Sequence, residues 1–495
     1  MRIPPMVIPK EHGASAVLLV PMMVAVTVTQ TYSLINGRTN LLMLLLGIRL
    51  LFAPGQMAAQ PSSLQERIKR ASPGDTILVP HGIYEGNIVI NKVIMLLGIE
   101  KPVIHGTGTG SVVTLTADSC IIEGFIIEHS GTMLVDEDAG ILVKSHCNRI
   151  LDNDLRDVLF GIYFFHADRN VTMNNTVTGR RYLGLGERGS GIHIWNSRGN
   201  VFTGNTITDA RDGFYIQNAS RMRIEGNEVF GVRYGLHYMY ADSNEFFNNT
   251  FHDNVAGAAI MYSSGILMRH NRFEHNRGFA SFGILFQDCH YSVADSNVIS
   301  DNVVGLFFEA STDNCFRHNV IARNDAALEM FQNATGNTFT ENNFIDNLTP
   351  LLLVGKHTGT HWGLAGRGNY WSSYEGYDLN DDGIGDVPMK IQNVFEYLEG
   401  KNPNLRLYLY SAASQALAAA TKAFPIIDIN SEIDEHPLMQ PTALHLPGIR
   451  QRTARAPDVE SDGTSGPALT WMPAILMGTA LFAYVIVLRT RKGAA

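Results

Sequence analysis

The sequence predicts an all-β fold, a right-handed parallel β-helix of about 22 residues per coil with a C-terminal cap and one transmembrane helix. Three observations lead there. An Asn followed one or two residues later by an apolar residue recurs at Asn153, Asn175, Asn205, Asn227, Asn249, Asn271, Asn297, Asn319 and Asn342, at steps of 22, 30, 22, 22, 22, 26, 22 and 23 residues. A glycine series (Gly140, Gly161, Gly191, Gly213, Gly235, Gly257, Gly283, Gly305, then Ala327) shows the same two long steps, which are therefore insertions into single repeats. After each glycine comes period-two alternation rich in Val, Ile, Phe and Tyr, the pattern of a strand. A fixed period in this range marks a solenoid. Three short strands and three turns fill 22 residues, whereas helical repeats need more. The preferred crossover of parallel strands sets the right-handed sense. The Asn series is assigned to corners, where Asn tolerates a left-handed backbone, and to amide ladders between coils.

The elements follow in order. Residues 1–59 hold two apolar runs, Ala16–Val28 and Leu41–Ala53, and read as a signal or leader segment with cleavage near Ala59. Ser63–Arg70 has the pattern of a short amphipathic helix that caps the open end of the core. Residues 60–355 are the β-helix. In each strand after a repeat glycine the first and third positions point inward: Ile162/Phe164, Ile192/Ile194, Phe214/Ile216 and Leu236/Tyr238 are examples. The second and fourth then form an outer strip: Tyr163/Phe165, His193/Trp195, Tyr215/Gln217, His237/Met239, Ala259/Met261 and onward. This strip is aromatic, poor in Arg and Lys, and carries His and Met. Imidazole and thioether sulfur together suit copper, Cu(I) above all. His193, Trp195, Tyr215, His237, Met239 and Met261 are the candidate copper or partner face; docking without metal is the plainer alternative. The remaining histidines (His166, His252, His270, His275, His290, His318) scatter over corners and surface.

Residues 356–440 read as a C-terminal cap. Within it Asp378, Asn380, Asp382, Ile384 and Asp386 have the spacing of a Ca²⁺ loop, although Met389 stands where a bidentate Glu is usual. Leu405–Lys422 has helical spacing. Residues 441–470 form a linker, Trp471–Leu488 is an 18-residue span without charge, and the basic Arg489, Arg491 and Lys492 place the tail 489–495 in the cytoplasm. The domain then lies on the outer side of that membrane, which the resemblance given below implies is the periplasmic face of the inner membrane.

Composition narrows the function classes. The net charge is −9, from 38 basic and 47 acidic residues, and no basic stripe with aromatics argues for nucleic acid. Four cysteines are too few for a disulfide framework, with one bridge left open.

Two resemblances add to this reading. The run from Pro73 through Gly98 resembles the opening coil of the pectate-lyase-like β-helix superfamily. Gly161-Ile-Tyr-Phe-Phe-His-Ala-Asp, Arg211-Asp-Gly-Phe-Tyr-Ile, Arg233-Tyr-Gly-Leu-His-Tyr-Met-Tyr-Ala-Asp, Ala258-Ala-Ile-Met-Tyr-Ser, Gly283-Ile-Leu-Phe-Gln-Asp-Cys and Gly368-Asn-Tyr-Trp-Ser resemble NosD, a family of periplasmic maturation factors of nitrous oxide reductase. That resemblance implies a non-catalytic role in assembling a copper–sulfide centre. The implied partners are an ABC transporter permease and ATPase, a copper chaperone and nitrous oxide reductase. The rival expectation is a polysaccharide lyase or C5-epimerase on the same fold, which needs a base and a group that neutralises a carboxylate.

Overall fold

The computed structural model describes residues 63–392 and 432–443, with the single positions 411 and 416. Each coil is three parallel strands, as in Val201–Thr203, Thr206–Thr208 and Asp212–Gln217. Stacked coils form three parallel sheets of 12, 13 and 12 strands, in which every strand pairs with its equivalents one coil away. The strands of the third sheet are the longest, reaching nine residues in Ala256–Ser264 and Phe282–His290.

The corner between the first and second strands explains the asparagine series. Two residues make the turn, and the second of them is the repeated Asn. Asn227 is representative. Its Oδ1 accepts from the backbone N and the Nδ2 of Asn205, both at 2.9 Å. Its Nδ2 donates to Phe202 O at 3.0 Å and to Asn249 Oδ1 at 2.9 Å. The ladder runs unbroken from Asn153 to Asn369. The ladder roles expected from the sequence are present, but the left-handed backbone is not theirs. It falls on the preceding residue: Asp152, Asn174, Gly204, Gly226, Asn248, His270, Ser296, His318 and Glu341 all have positive φ. The amide of the ladder residue stays inside because it satisfies buried backbone groups that water cannot reach. A parallel ladder at the corner into the third sheet links Asn254, Asn276, Asn302, Asn324 and Asn347.

The repeat glycines are needed for close approach. A Cβ on Gly161 would lie 2.2 Å from Gly191 O and 2.4 Å from Val177 Cγ1. Inward side chains then meet at the axis. Ile162, Phe164, Ile192, Ile194, Phe214, Ile216, Leu236 and Tyr238 are fully buried. Phe rings stack from coil to coil, Phe251 on Phe273 at 5.1 Å and Phe316 on Phe339 at 5.0 Å. Each buried side chain of this size contributes about 1.5–3 kcal/mol, and the sum is spread evenly along a core that has no single centre.

Both ends are closed. At the first coil, the helix Leu64–Arg70 starts on Ser63, whose hydroxyl accepts from Glu66 N, and buries Leu64 and Ile68 on the core. At the last, Trp371 stacks on Phe344 at 4.1 Å and Trp362 on Phe339 at 5.2 Å. The chain returns as Ile433–Asp434, antiparallel to Met389–Lys390. Asp434 accepts from Trp371 Nε1 at 2.9 Å and Glu432 from Trp362 Nε1 at 3.0 Å. Residues 441–443, expected to begin a linker, instead pack on the solenoid: Thr442 N donates to Asn343 Oδ1 at 2.9 Å, and Asn343 Nδ2 donates back to Thr442 O. Among the described residues no helix is long and apolar enough to cross a membrane. The leader 1–59, most of the helix at Leu405–Lys422, the rest of the linker, the span Trp471–Leu488 and the tail lie outside the described residues.

Candidate functional site

The outer face of the third sheet holds the expected strip in the expected register. Tyr163, His193, Tyr215 and His237 are direct partners on four successive coils. Phe165, Trp195, Gln217, Met239 and Met261 form the second column. Tyr163 stacks on His193 at 4.4 Å and His193 on Tyr215 at 4.3 Å, while Tyr215 meets His237 edge-on at 4.8 Å.

One half of the strip is not open. Two loops, residues 131–138 and 179–190, leave the corner between the second and third sheets and fold over it. Leu134 and Leu183 pack with Leu159, Phe160 and Tyr163 in a second small apolar cluster outside the barrel. Arg180 is buried and ties the loops together, with bonds to Asp157, Ser130 O and Gly131 O. Tyr163 Oη donates to Glu137 Oε1 at 2.5 Å. His193 is consequently 8 % exposed, and neither ring nitrogen has a hydrogen-bond partner. Burial, helped by the nearby Arg211, pushes its pKa down to about 3, so the ring is neutral at pH 7. His193 thus belongs to a covered stack and not to the open face expected from alternation alone.

The open half centres on His237. Its Nδ1 lies 3.2 Å from Oδ2 of Asp212, a fully buried carboxylate. Arg233 forks onto Asp212 at 2.8 and 2.7 Å, and Arg211 Nε reaches it at 3.3 Å. Burial pushes the Asp212 carboxyl up, but the hydrogen bonds from His237 and Arg233 outweigh it and hold it at about 2. Since Asp212 is ionised, Nδ1 of His237 is the donor and Nε2 carries the lone pair. Such a carboxylate partner fixes the tautomer and the ring orientation. Met239 and Met261 are cross-strand partners, about 4.8 Å apart in the stacking direction. Met239 stands two residues along the strand from His237, about 6.6 Å by strand rise. Tyr240 and Tyr262, each the residue that follows, have positive φ and stack with centroids 5.0 Å apart at the surface.

Arg211, Asp212, Arg233 and Tyr234 did not figure among the sequence-derived candidates. Part of the signal was there, since Arg recurs two residues before the repeat glycine in successive coils; but the in–out phase shifts at that glycine, whose missing Cβ points to the core, so Asp212 and Tyr234 face outward where strict alternation turns them in. Reading the strip only forward from the glycine made it look poor in Arg.

The Asp-rich loop is a self-satisfied turn. Asp378 Oδ1 accepts from Asp381 N at 2.7 Å and its Oδ2 from Gly383 N at 2.8 Å. Asp382 Oδ1 accepts from Ile384 N, Asp386 Oδ2 from Leu379 N, and Asn380 Nδ2 donates to Asp382 Oδ2. These oxygens cap the loop's own amides. No group of three or more His, Cys, Asp or Glu able to hold a metal occurs among the described residues. The calcium expectation finds no support here. All four cysteines are free, Cys120 and Cys289 being buried, and burial pushes the Cys289 thiol up to about 12.

These features define a class, the right-handed parallel β-helix proteins. The model of the right-handed β-helix region matches residues 88–251. Within that class, the model of the family described as periplasmic copper-binding protein (NosD) matches residues 173–376. Two relatives are each named "Probable ABC transporter binding protein NosD". The Stutzerimonas stutzeri protein is 29 % identical over 409 residues, 79 % of this chain and 93 % of that one. The Pseudomonas aeruginosa protein is 29 % identical over 375 residues, 72 % and 87 % of the two chains. Among solved structures, the A-modules of the Azotobacter vinelandii mannuronan C-5 epimerases AlgE6 and AlgE4 superpose with TM-scores of 0.51 and 0.50, each at 12 % identity. They cover 61 % and 59 % of this chain, and 93 % and 92 % of their own. At that identity the likeness is one of fold.

Proposed function

We propose that this chain is a periplasmic NosD-type accessory protein that handles Cu(I) as cargo on the outer face of its third sheet and has no turnover of its own. The observation that carries the reading is the arrangement at His237. Its Nδ1 is committed to Asp212, so Nε2 is the donor, and the thioethers of Met239 and Met261 stand on the same face in adjacent rungs. One imidazole and two thioethers form a soft neutral set that favours Cu(I). The NosD relatives and the family description support copper and an ABC transporter as partner. In this reading the permease and ATPase, a copper chaperone and nitrous oxide reductase share the assembly of a copper–sulfide centre, and the segment Trp471–Leu488 anchors the domain to the inner membrane.

The test is Cu(I) titration of the purified protein against a competing chelator, beside a variant with His237→Ala, Met239→Ala and Met261→Ala. Stoichiometric binding that the variant loses supports the reading. Binding in neither protein removes copper and leaves a docking scaffold. The second reading, a polyuronate lyase or epimerase, is favoured by the Asp212–His237 pair with two arginines beside it. Incubation with alginate and pectate, followed by ultraviolet absorbance of unsaturated products and by proton NMR for epimerisation, decides it. Turnover lost in His237→Ala establishes an enzyme.

A further inference from the structure

We infer that Arg211 and Arg233 form a binding site for a carboxylate beside His237, independent of whether His237 takes copper. The two arginines occupy the same position of successive coils, and Arg233 N donates to Arg211 O at 2.8 Å. Their guanidinium groups therefore issue from adjacent rungs about 4.8 Å apart, on side chains only 23 % and 35 % exposed. Among the described residues their only ion pairs are with Asp212. Two cations thus share one carboxylate, and the Arg211–Arg233–Asp212 cluster holds an excess of one positive charge. Like charges crowded at a half-desolvated edge repel one another unless a second anion joins them.

The donors for that anion are in place. Arg233 spends Nε and one Nη on Asp212; its Nη1, and both terminal nitrogens of Arg211, make no protein hydrogen bond among the described residues. Planar N–H forks match the two oxygens of a carboxylate, and the charge excess fits a monoanion better than a phosphate dianion. Tyr215 and Tyr234 flank His237 with their rings at 4.8 and 5.2 Å, and Arg233 lies over the Tyr234 ring at 4.5 Å. An aromatic floor of this kind suits a carboxylate borne on a ring or an apolar body.

The experiment follows the Arg Nε–Hε signals of the full chain, labelled with ¹⁵N-arginine and without copper, by NMR. Sodium acetate and sodium glucuronate are titrated against sodium chloride at equal ionic strength and against neutral glucose. The expected result is a saturable shift of the Arg211 and Arg233 signals with either carboxylate and none with chloride or glucose. In Arg211→Gln the apparent affinity falls tenfold or more; Arg211→Lys, which keeps the charge but loses the fork, loses most of it too and serves if the Gln variant does not fold. Glucuronate binding well above acetate points to a sugar acid, and equal binding to a bare carboxylate such as a partner's side chain. Linear shifts shared by chloride, or unchanged binding in both variants, overturn the inference.

Discussion

Replacing His193 with Phe isolates what a buried, unpartnered imidazole does to this fold. In the native protein the ring lies between Tyr163 and Tyr215 with both nitrogens unbonded. The unfolded chain takes up a proton near pH 6.5, whereas the folded one resists until about pH 3. Native protein therefore binds fewer protons than unfolded protein throughout that window. Stability contributed by this difference is intact above pH 6.5 and is lost as pH falls toward 3. The gap corresponds to on the order of 4–5 kcal/mol when fully expressed. Phe keeps the stack and has no proton to take up. At pH 7 it also removes two unsatisfied polar atoms, for a gain of about 1–3 kcal/mol. Urea denaturation of wild type and His193→Phe at pH 7, 6, 5 and 4 reads both effects. The wild-type midpoint should fall more steeply between pH 6.5 and 4, and the variant should lie above it at every pH. Because His193 is covered, Cu(I) binding should be unchanged. Parallel pH curves, or an NMR signal of His193 titrating near pH 6, would refute the reasoning.

Three further outcomes follow from the same geometry. Asp212→Ala leaves the Arg233 fork unpaired at a half-buried position and should cost about 3–5 kcal/mol in chemical denaturation, far more than Glu228→Ala, whose carboxylate is exposed. Asn249→Ala breaks a rung that accepts from Asn227 twice and donates to Ile224 O and Asn271; about 3 kcal/mol or more is lost, since each stranded buried group costs about 1–3 kcal/mol, and hydrogen exchange should open the neighbouring coils first. Calcium and chelator should leave the thermal midpoint unchanged, because the carboxylates at Asp378, Asp382 and Asp386 already cap backbone amides; a calcium-dependent rise would reinstate the loop as a metal site.

Much of the fold was legible because its cause is periodic. Each coil must place a hydrogen-bonding amide at one corner and a Cβ-free residue at another, so Asn and Gly recur at the coil length. The left-handed corner residue was not legible, because Asp, Asn, Gly, His, Ser and Glu all fill it: the backbone there is exposed and only its φ is demanded. The two columns of the strip were readable from alternation, which a parallel stack preserves from rung to rung. Its covering was not. The segment 179–190 has no apolar period, and only Tyr182, Leu183 and Leu185 inside an Arg- and Gly-rich run hint that it packs on anything. The Asp212 cluster was lost for a narrower reason: the in–out phase shifts at the repeat glycine, so Asp212 and Tyr234 face outward where period-two alternation turns them inward.

The three insertions, at residues 131–138, 179–190 and 277–280, all depart from one corner, and the asparagine rungs pass each of them without slipping. The interior is therefore indifferent to their length. A related chain can lengthen, shorten or exchange these segments while every residue of the sheet keeps its neighbour above and below. The floor that bears His237, Met239 and Met261 and the wall that rises beside it can vary separately, one by point substitution and the other by changes of length. In such a protein, what the site binds and how deeply it is sheltered are two independent inheritances.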